Sequence, residues 1–160
     1  DKLPTINSYI AEYMVDESFI YKLEKKIPNL LIYKKYILLE IHFFGNIQLL
    51  EEACFELSHK GIIPILAHPE RYHYLKTISQ FKALKQKGFY LQLNALSLLG
   101  HYGPEVKEKA QLILKSGLYD FLATDAHNKE NLDKLNSLKL SKKQGIKWEA
   151  IREFQLNIFR

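Results

Sequence analysis

Histidine, carboxylate and arginine side chains follow two apolar runs of the sequence. They are His68, Glu70 and Arg71 after residues 61–67, and Asp125 and His127 after residues 118–123. Each run is typical of a strand in a buried parallel sheet, and α/β barrels do their chemistry in the loops that follow such strands. Side chains two apart in an extended segment point to the same side, so Asp125 and His127 can reach one metal cluster. These residue types suit a metal or phosphate site.

Other predicted strands also end in polar residues. They are Glu12, Glu40 with His42, and Asn94. Carboxylate oxygens combined with imidazoles suit Mn, Fe or Zn, and a carboxylate can bridge two ions that share a water. A carboxylate within an apolar strand is costly unless it is paired or binds a metal, which favours Glu40 as a ligand.

Structural roles remain open for the other candidates when spacing alone is considered. His68 equally fits a loop histidine, Arg71 a surface ion-pair partner, and the alternation around Glu12 favours an outward-facing strand residue. Asp125 equally fits the cap of the next helix, and His127 an exposed position. We expect structural or exposed roles for the remaining histidines and a buried, unreactive role for the single cysteine; these are His42, His59, His73, His101 and Cys54.

Strand and helix patterns alternate along the chain. The predicted strands are 6–13, 36–41, 62–67, 89–94 and 118–123. The predicted helices start at the Asp16 cap, at 47, at 78, at Pro104, near 131 and at 148. This alternation predicts an α/β fold with a parallel sheet and right-handed crossovers. About five units are present, whereas a complete barrel has eight in about 250 residues, so we expect an open or incomplete barrel.

Composition bounds the class of protein. The 160 residues are 47% hydrophobic and 26% charged, which predicts one soluble globular domain spanning 1–160 and argues against disorder. No apolar run approaches the roughly 20 residues of a membrane span, and no signal peptide is evident. The net charge of +5 is spread over lysines interleaved with glutamates, so no nucleic-acid face is expected. A lone cysteine fits a reducing compartment, and we expect the cytoplasm.

Four of these motifs, in their order and spacing, resemble one family. They are Ala11-Glu12-Tyr13, Leu38-Leu39-Glu40, Ile65-Leu66-Ala67-His68-Pro69-Glu70-Arg71-Tyr72 and Ala123-Thr124-Asp125-Ala126-His127-Asn128. They resemble the bacterial capsule and exopolysaccharide tyrosine phosphatases of the polymerase-and-histidinol-phosphatase (PHP) superfamily. The resemblance implies a distorted (β/α)₇ barrel with a trinuclear metal site, commonly manganese. It also implies a substrate partner, the phosphotyrosine tail of a bacterial tyrosine autokinase that controls polysaccharide export.

The resemblance implies a role for each matching residue. Glu12 is implied to bridge two metals, with Glu40 and His68 completing the protein ligands of one of them. Asp125 is implied to bind the other metal and His127 a third, while Arg71 holds the substrate phosphate. No cysteine nucleophile is required in such a site.

The sequence also departs from the family pattern. Members begin with a His-x-His strand and an Asp-Asp-Gly loop, and neither motif occurs here. We therefore expect the C-terminal two-thirds of the barrel, with one metal position keeping its three protein ligands, partial metal occupancy and little activity. An exposed sheet edge would favour a homo-oligomer. The alternatives are another PHP phosphoesterase, such as a histidinol-phosphate phosphatase, and an inactive binding fragment.

Overall fold

Five parallel strands form one sheet in chain order. The structure is a computed structural model that describes residues 12–25, 35–42, 45 and 47–159. The strands are β1 (Glu12–Met14), β2 (Tyr36–Glu40), β3 (Ile63–Ala67), β4 (Tyr90–Asn94) and β5 (Phe121–Ala123). Each strand pairs in parallel with the next. An order without a reversal is that of a barrel sheet and not of a doubly wound one, so the predicted α/β class with an open, barrel-type sheet is confirmed.

Helices connect the strands. They are α1 (Glu17–Glu24), α2 (Ile47–His59), α3 (Ile78–Gln86), α4 (Ala95–Leu99), α5 (Pro104–Lys115), α6 (Lys129–Leu135) and α7 (Lys142–Ile158), with a 3₁₀ turn at Pro69–Arg71. The Asp16 cap is confirmed, because its carboxylate accepts a 2.8 Å hydrogen bond from the Phe19 backbone N–H. Pro104 opens α5 as predicted. Within the described residues, no helix has both the length and the apolar character needed to cross a bilayer.

Several predicted boundaries were wrong. Helix α7 begins at Lys142 and not at 148, because Ser141 and Gln144 form a reciprocal capping box. Helix α6 begins at Lys129 because Asn128 caps it. Helix α4 was not predicted. Strand β5 is limited to three residues, and most of the predicted strand 6–13 lies outside the described residues.

The two faces of the sheet have different neighbours. In β2, Ile37 and Leu39 join the main core, whereas Tyr36 and Leu38 join a second cluster. Side chains alternate along a strand, so Glu40 continues the face of Tyr36 and Leu38, which we call the inner face. The register places Glu12 beside Leu38 on that face.

The inner face continues across the other strands. The second cluster also contains Ile65 and Ala67 of β3 and Phe121 of β5, with Tyr90 of β4 and Ile158 of α7 packed against it. The same alternation from Tyr90 puts Asn94 on the inner face, at the carboxyl end of β4. Glu40 and Asn94, at the ends of their strands, therefore lie on the same face of the sheet as this apolar cluster.

Candidate metal and phosphate site

Three of the predicted ligands lie close together: Glu12 is the first residue of β1, Glu40 is the last residue of β2, and His68 directly follows β3. Glu12, Glu40 and His68 each offer a ligand atom, and these atoms lie within 4.8 Å of one another. His68 Nε2 lies 3.5 Å from Glu12 Oε1 and 3.7 Å from Glu40 Oε1. Oxygen and nitrogen ligands about 2.1 Å from one transition-metal ion are themselves roughly 3.4 Å apart in a tetrahedral shell. The donor set and its spacing therefore fit a divalent metal ion.

The electrostatics of Glu40 connect this cluster to its surroundings. Burial raises the pKa of the Glu40 carboxyl, and the neighbouring Glu12 raises it further, while His68 opposes both effects. The two groups of candidate residues adjoin through Arg71: its backbone N–H donates to the His68 carbonyl oxygen at 2.9 Å, and its Nη1 lies 3.1 Å from Asp125 Oδ2. Two carboxylates beside one imidazole make the cluster a favourable place for a cation.

Tyr72 fixes the strand ends that carry Glu40 and His68. Its hydroxyl accepts a 3.3 Å hydrogen bond from the Ile41 backbone N–H and donates a 3.1 Å bond to the Ala67 carbonyl oxygen. Burial raises the pKa of the Tyr72 phenol well above its usual range, so the group stays protonated and can donate. The adjoining ends of β2 and β3 are thus held together by one side chain.

Asp125 organises a second group of residues. Its Oδ2 accepts hydrogen bonds from Arg71 Nη1 at 3.1 Å, Asn94 Nδ2 at 2.9 Å and the Tyr102 hydroxyl at 3.4 Å. Its Oδ1 lies 3.2 Å from His127 Nε2. The next helix is capped by Asn128, whose side chain accepts from the Asn131 N–H. The alternative of Asp125 as a helix cap is therefore excluded.

The other histidines and the single cysteine differ in their exposure to solvent. His127 touches Asp125, but its side chain is 82% exposed, so it is the most open of the predicted site residues. The four histidines expected to be structural or exposed are all exposed: His42, His59, His73 and His101. Cys54 is buried and donates to the Lys87 carbonyl oxygen, and burial raises the pKa of its thiol, which confirms an unreactive core role.

Comparison with known proteins places the chain in a family. The model of the family described as "Capsular polysaccharide synthesis, CpsB/CapC" matches residues 5–144, which include both groups of site residues. The chain belongs to the CpsB/CapC family.

Members of the CpsB/CapC family with curated names are similar to this chain. YwqE of Bacillus subtilis, named a tyrosine-protein phosphatase, is 36% identical over 95 residues, covering 59% of this chain and 37% of YwqE. CpsB of Streptococcus pneumoniae, named a tyrosine-protein phosphatase, is 28% identical over 127 residues, covering 76% of this chain and 52% of CpsB. The chain thus spans about half or less of the length of these relatives.

A solved structure agrees with the fold. It comes from crystallographic work on YwqE of B. subtilis and CpsB of S. pneumoniae, described as unique metal-dependent tyrosine phosphatases. It superposes with a TM-score of 0.69 at 28% identity, covering 92% of this chain and 64% of the solved one. The five-stranded parallel sheet of this CpsB/CapC chain is therefore the fold of these proteins.

Glu70 joins the chain segments that carry the site through buried hydrogen bonds, a role that the sequence did not reveal. It is 0% exposed, and its Oε1 accepts from the Asn94 backbone N–H at 3.1 Å and the Ser97 hydroxyl at 2.7 Å. Its Oε2 accepts from the Tyr119 hydroxyl at 2.9 Å. This one carboxylate ties the 3₁₀ turn between His68 and Arg71 to β4, α4 and the segment before β5. The sequence signal was only a carboxylate among strand-end polar residues.

Tyr102 belongs to the site, although nothing in the sequence pointed to it. Its ring centroid lies 4.3 Å from the Arg71 guanidinium carbon, and its hydroxyl accepts from Asn94 Nδ2 at 3.0 Å. The residue follows α4 in a loop without an apolar pattern. Its nearness to Arg71 arises only when that loop folds over the end of β4.

Proposed function

We propose that this chain carries the phosphotyrosine-hydrolysing site of a metal-dependent CpsB/CapC phosphatase. The substrate would be the phosphotyrosine tail of a bacterial tyrosine autokinase of capsule or exopolysaccharide synthesis, met in the cytoplasm. The observation that carries the proposal is the ligand cluster of Glu12, Glu40 and His68, with Arg71 in the 3₁₀ turn directly after His68. The tyrosine-protein phosphatases similar to this chain support the same reaction.

Glu12, Glu40 and His68 would hold one divalent ion, with Glu12 shared with a second ion that Asp125 binds and His127 reaching a third. Two carboxylates with one imidazole, and no thiolate, favour manganese over the softer metals, with iron or zinc as the other options. Ions bound here would supply positive charge and a water of lowered pKa. The protein contributes by fixing the ligands on, or directly after, three adjacent strands.

Arg71 would bind the phosphoryl group of the substrate. A guanidinium presents its donors in a planar fork that matches two phosphate oxygens. Arg71 Nη1 is held 3.1 Å from Asp125 Oδ2, which orients the guanidinium before a substrate arrives. Positive charge at this position offsets the charge on the phosphoryl oxygens during phosphoryl transfer.

A thiolate of this chain is not the nucleophile in this proposal. Cys54 is the single cysteine of the sequence. It lies in α2, where its thiol donates 2.9 Å to the Lys87 carbonyl oxygen. Cysteine phosphatases need a thiolate of lowered pKa beside the phosphate, whereas burial raises the pKa of Cys54.

The test is hydrolysis of a phosphotyrosine peptide by the manganese-loaded chain. Arg71→Ala should lower kcat/KM by about 100-fold or more, because a charged phosphate contact is lost. Arg152→Ala is the matched control, since Arg152 is exposed on α7 and pairs only locally with Glu149. A chain that hydrolyses histidinol phosphate and not the peptide would replace this substrate by that of the related phosphoesterases. Equal loss in both arginine variants would contradict the role of Arg71.

A further inference from the structure

We propose that Tyr102 is the positioning residue for Arg71, and that its ring sets the affinity of this site for phosphate. The inference rests on the proposed function only in that the phosphate belongs to a phosphotyrosine. Its core, an arginine held over an aromatic ring beside a metal-ligand cluster, can be tested with inorganic phosphate alone.

The ring contact is close enough to hold the guanidinium. The Arg71 guanidinium carbon lies 4.3 Å from the Tyr102 ring centroid, within the roughly 6 Å over which a cation is attracted by an aromatic face. The donors of a guanidinium lie in its plane. The contact with the ring is made by the guanidinium carbon, so these donors remain able to bond to a carboxylate or a phosphate.

The Tyr102 hydroxyl aligns the ring with the rest of the site. It accepts from Asn94 Nδ2 at 3.0 Å and lies 3.4 Å from Asp125 Oδ2. Asn94 also donates to that same oxygen at 2.9 Å, so Asp125 keeps a strong partner without the hydroxyl. The Tyr102 hydroxyl is thus bonded to the end of β4, and Arg71 is held by a hydrogen bond to Asp125 and by its contact with the Tyr102 ring.

The backbone around Tyr102 holds it in place. Gly100 ends α4 with a φ of 84°, and Gly103 precedes α5 with a φ of 97°, conformations that side-chain-bearing residues rarely adopt. The Gly103 N–H donates to the Gly100 carbonyl oxygen at 3.0 Å, which closes a tight turn. Helix α4 is itself capped by Asn94. The turn is therefore built directly on the strand end that carries the site.

The position of Tyr102 distinguishes it from the structural tyrosines. Tyr72 and Tyr119 are buried. The Tyr72 hydroxyl donates to the Ala67 carbonyl oxygen, and the Tyr119 hydroxyl donates to the buried Glu70 carboxylate. Tyr102 is only partly buried. Its ring contacts the Arg71 guanidinium, which belongs to the candidate site and not to the apolar core. A tyrosine at this position contributes to the site and not to the packing of the sheet.

The experiment measures inorganic phosphate binding to the manganese-loaded chain by calorimetry, together with KM and kcat for a phosphotyrosine peptide. Tyr102→Leu should weaken phosphate binding by about 3- to 30-fold, the range of a partly buried cation–π contact. KM should rise by a similar factor, with a smaller change in kcat. Tyr102→Phe keeps the ring and loses only the hydroxyl contacts, so its loss of phosphate affinity should be smaller than that of Tyr102→Leu.

Two controls sharpen the test. Tyr21→Leu removes a second stacked pair, since Lys25 lies over the Tyr21 ring on α1, and should leave phosphate binding unchanged. In an Arg71→Ala background, Tyr102→Leu should have no further effect, because the two residues act through one contact.

Each outcome decides the inference. It is overturned if Tyr102→Leu binds phosphate as the wild type does, if its effect persists in full without Arg71, or if the wild type binds no phosphate. Should Tyr102→Leu not fold, Tyr102→Phe decides, because a loss as large as that of Arg71→Ala would exclude the ring as the cause. Phosphate binding without peptide hydrolysis would reject the proposed function, and the variant series would still decide the role of Tyr102.

Discussion

His68 and Asp125 share a backbone conformation that residues other than glycine rarely adopt. Their φ angles are 33° and 48°, and they are the two non-glycine residues with a positive φ in the described part of the chain. Each follows the carboxyl end of a strand, and each belongs to one group of the candidate site. Such conformations cost on the order of 1 kcal/mol and persist where the surroundings impose them, often at functional sites.

His68→Asn should separate metal binding from stability. Asparagine tolerates the left-handed region better than histidine does, which offsets part of the lost packing. We expect the free energy of unfolding of the metal-free chain to change by less than about 1 kcal/mol. Manganese affinity, measured by calorimetry, should fall by more than about tenfold, because an imidazole ligand is lost. A variant with unchanged manganese affinity would contradict the ligand role of His68.

Glu70→Ala should be among the most destabilising substitutions in the chain. It removes the acceptor of three buried donors, from Asn94, Ser97 and Tyr119, and each orphaned donor costs about 1–3 kcal/mol. We expect a loss of about 3 kcal/mol or more, seen as a Tm lowered by roughly 6–12 °C. Glu108→Ala, at an exposed position of α5, is the control and should stay within about 0.5 kcal/mol. Similar losses of unfolding free energy in both variants would show that the hydrogen bonds of Glu70 contribute no more to stability than an exposed side chain does.

Cys54 should be dispensable for activity. Its thiol is buried, and burial raises its pKa, so little reactive thiolate forms at neutral pH. We expect slow alkylation of the native chain by iodoacetamide and a Cys54→Ala variant within about twofold of wild-type kcat/KM. Rapid inactivation by iodoacetamide, prevented in Cys54→Ala, would instead point to a cysteine-dependent reaction.

The stability contributed by Asp16 should depend on pH. Its hydrogen bond from the Phe19 N–H, followed by that from the Ser18 hydroxyl, lowers the pKa of the carboxyl. A lowered pKa in the folded state means that the stabilisation is present above the ordinary carboxyl pKa and is lost as pH falls through the lowered value. Asp16→Ala should cost about 1 kcal/mol at pH 7. The difference from the wild type should shrink below about pH 3.9.

Asp16→Asn provides the matched variant for that titration. An asparagine caps a helix through its amide oxygen and carries no titrating group, so its stability relative to Asp16→Ala should not vary over the same pH range. Chemical denaturation at several pH values measures both differences. A pH-independent gap between the wild type and Asp16→Ala would show that the carboxylate charge does not contribute.

The sequence predicted those features that depend on local pattern and strand order. Glu40 and His68 could be grouped because the carboxyl ends of adjacent parallel strands share one sheet edge, whereas the assignment of Glu12 to the same metal depended on the family resemblance. The start of α7 was missed because the Ser141 capping box precedes the apolar periodicity that was used to place the helix. The five residues of α4 are too few for a periodicity to show.

The parts that escaped prediction depend on tertiary contacts. Tyr102 meets Arg71 only because α4 and its glycine turn fold back over β4, and no spacing rule encodes that approach. The partners of Glu70 come from three separate segments.

Manganese binding to the metal-stripped chain tests the central claim most directly. Metal content per chain and affinity are measured for the wild type, for Glu40→Gln, and for Glu56→Gln as a control on α2, where Glu56 pairs with Lys60. The cluster of Glu12, Glu40 and His68 predicts at least one ion in the wild type, an affinity at least about tenfold lower in Glu40→Gln, and no change in the control. A wild type that binds no manganese, or a Glu40→Gln variant that binds as tightly as the wild type, would contradict the account.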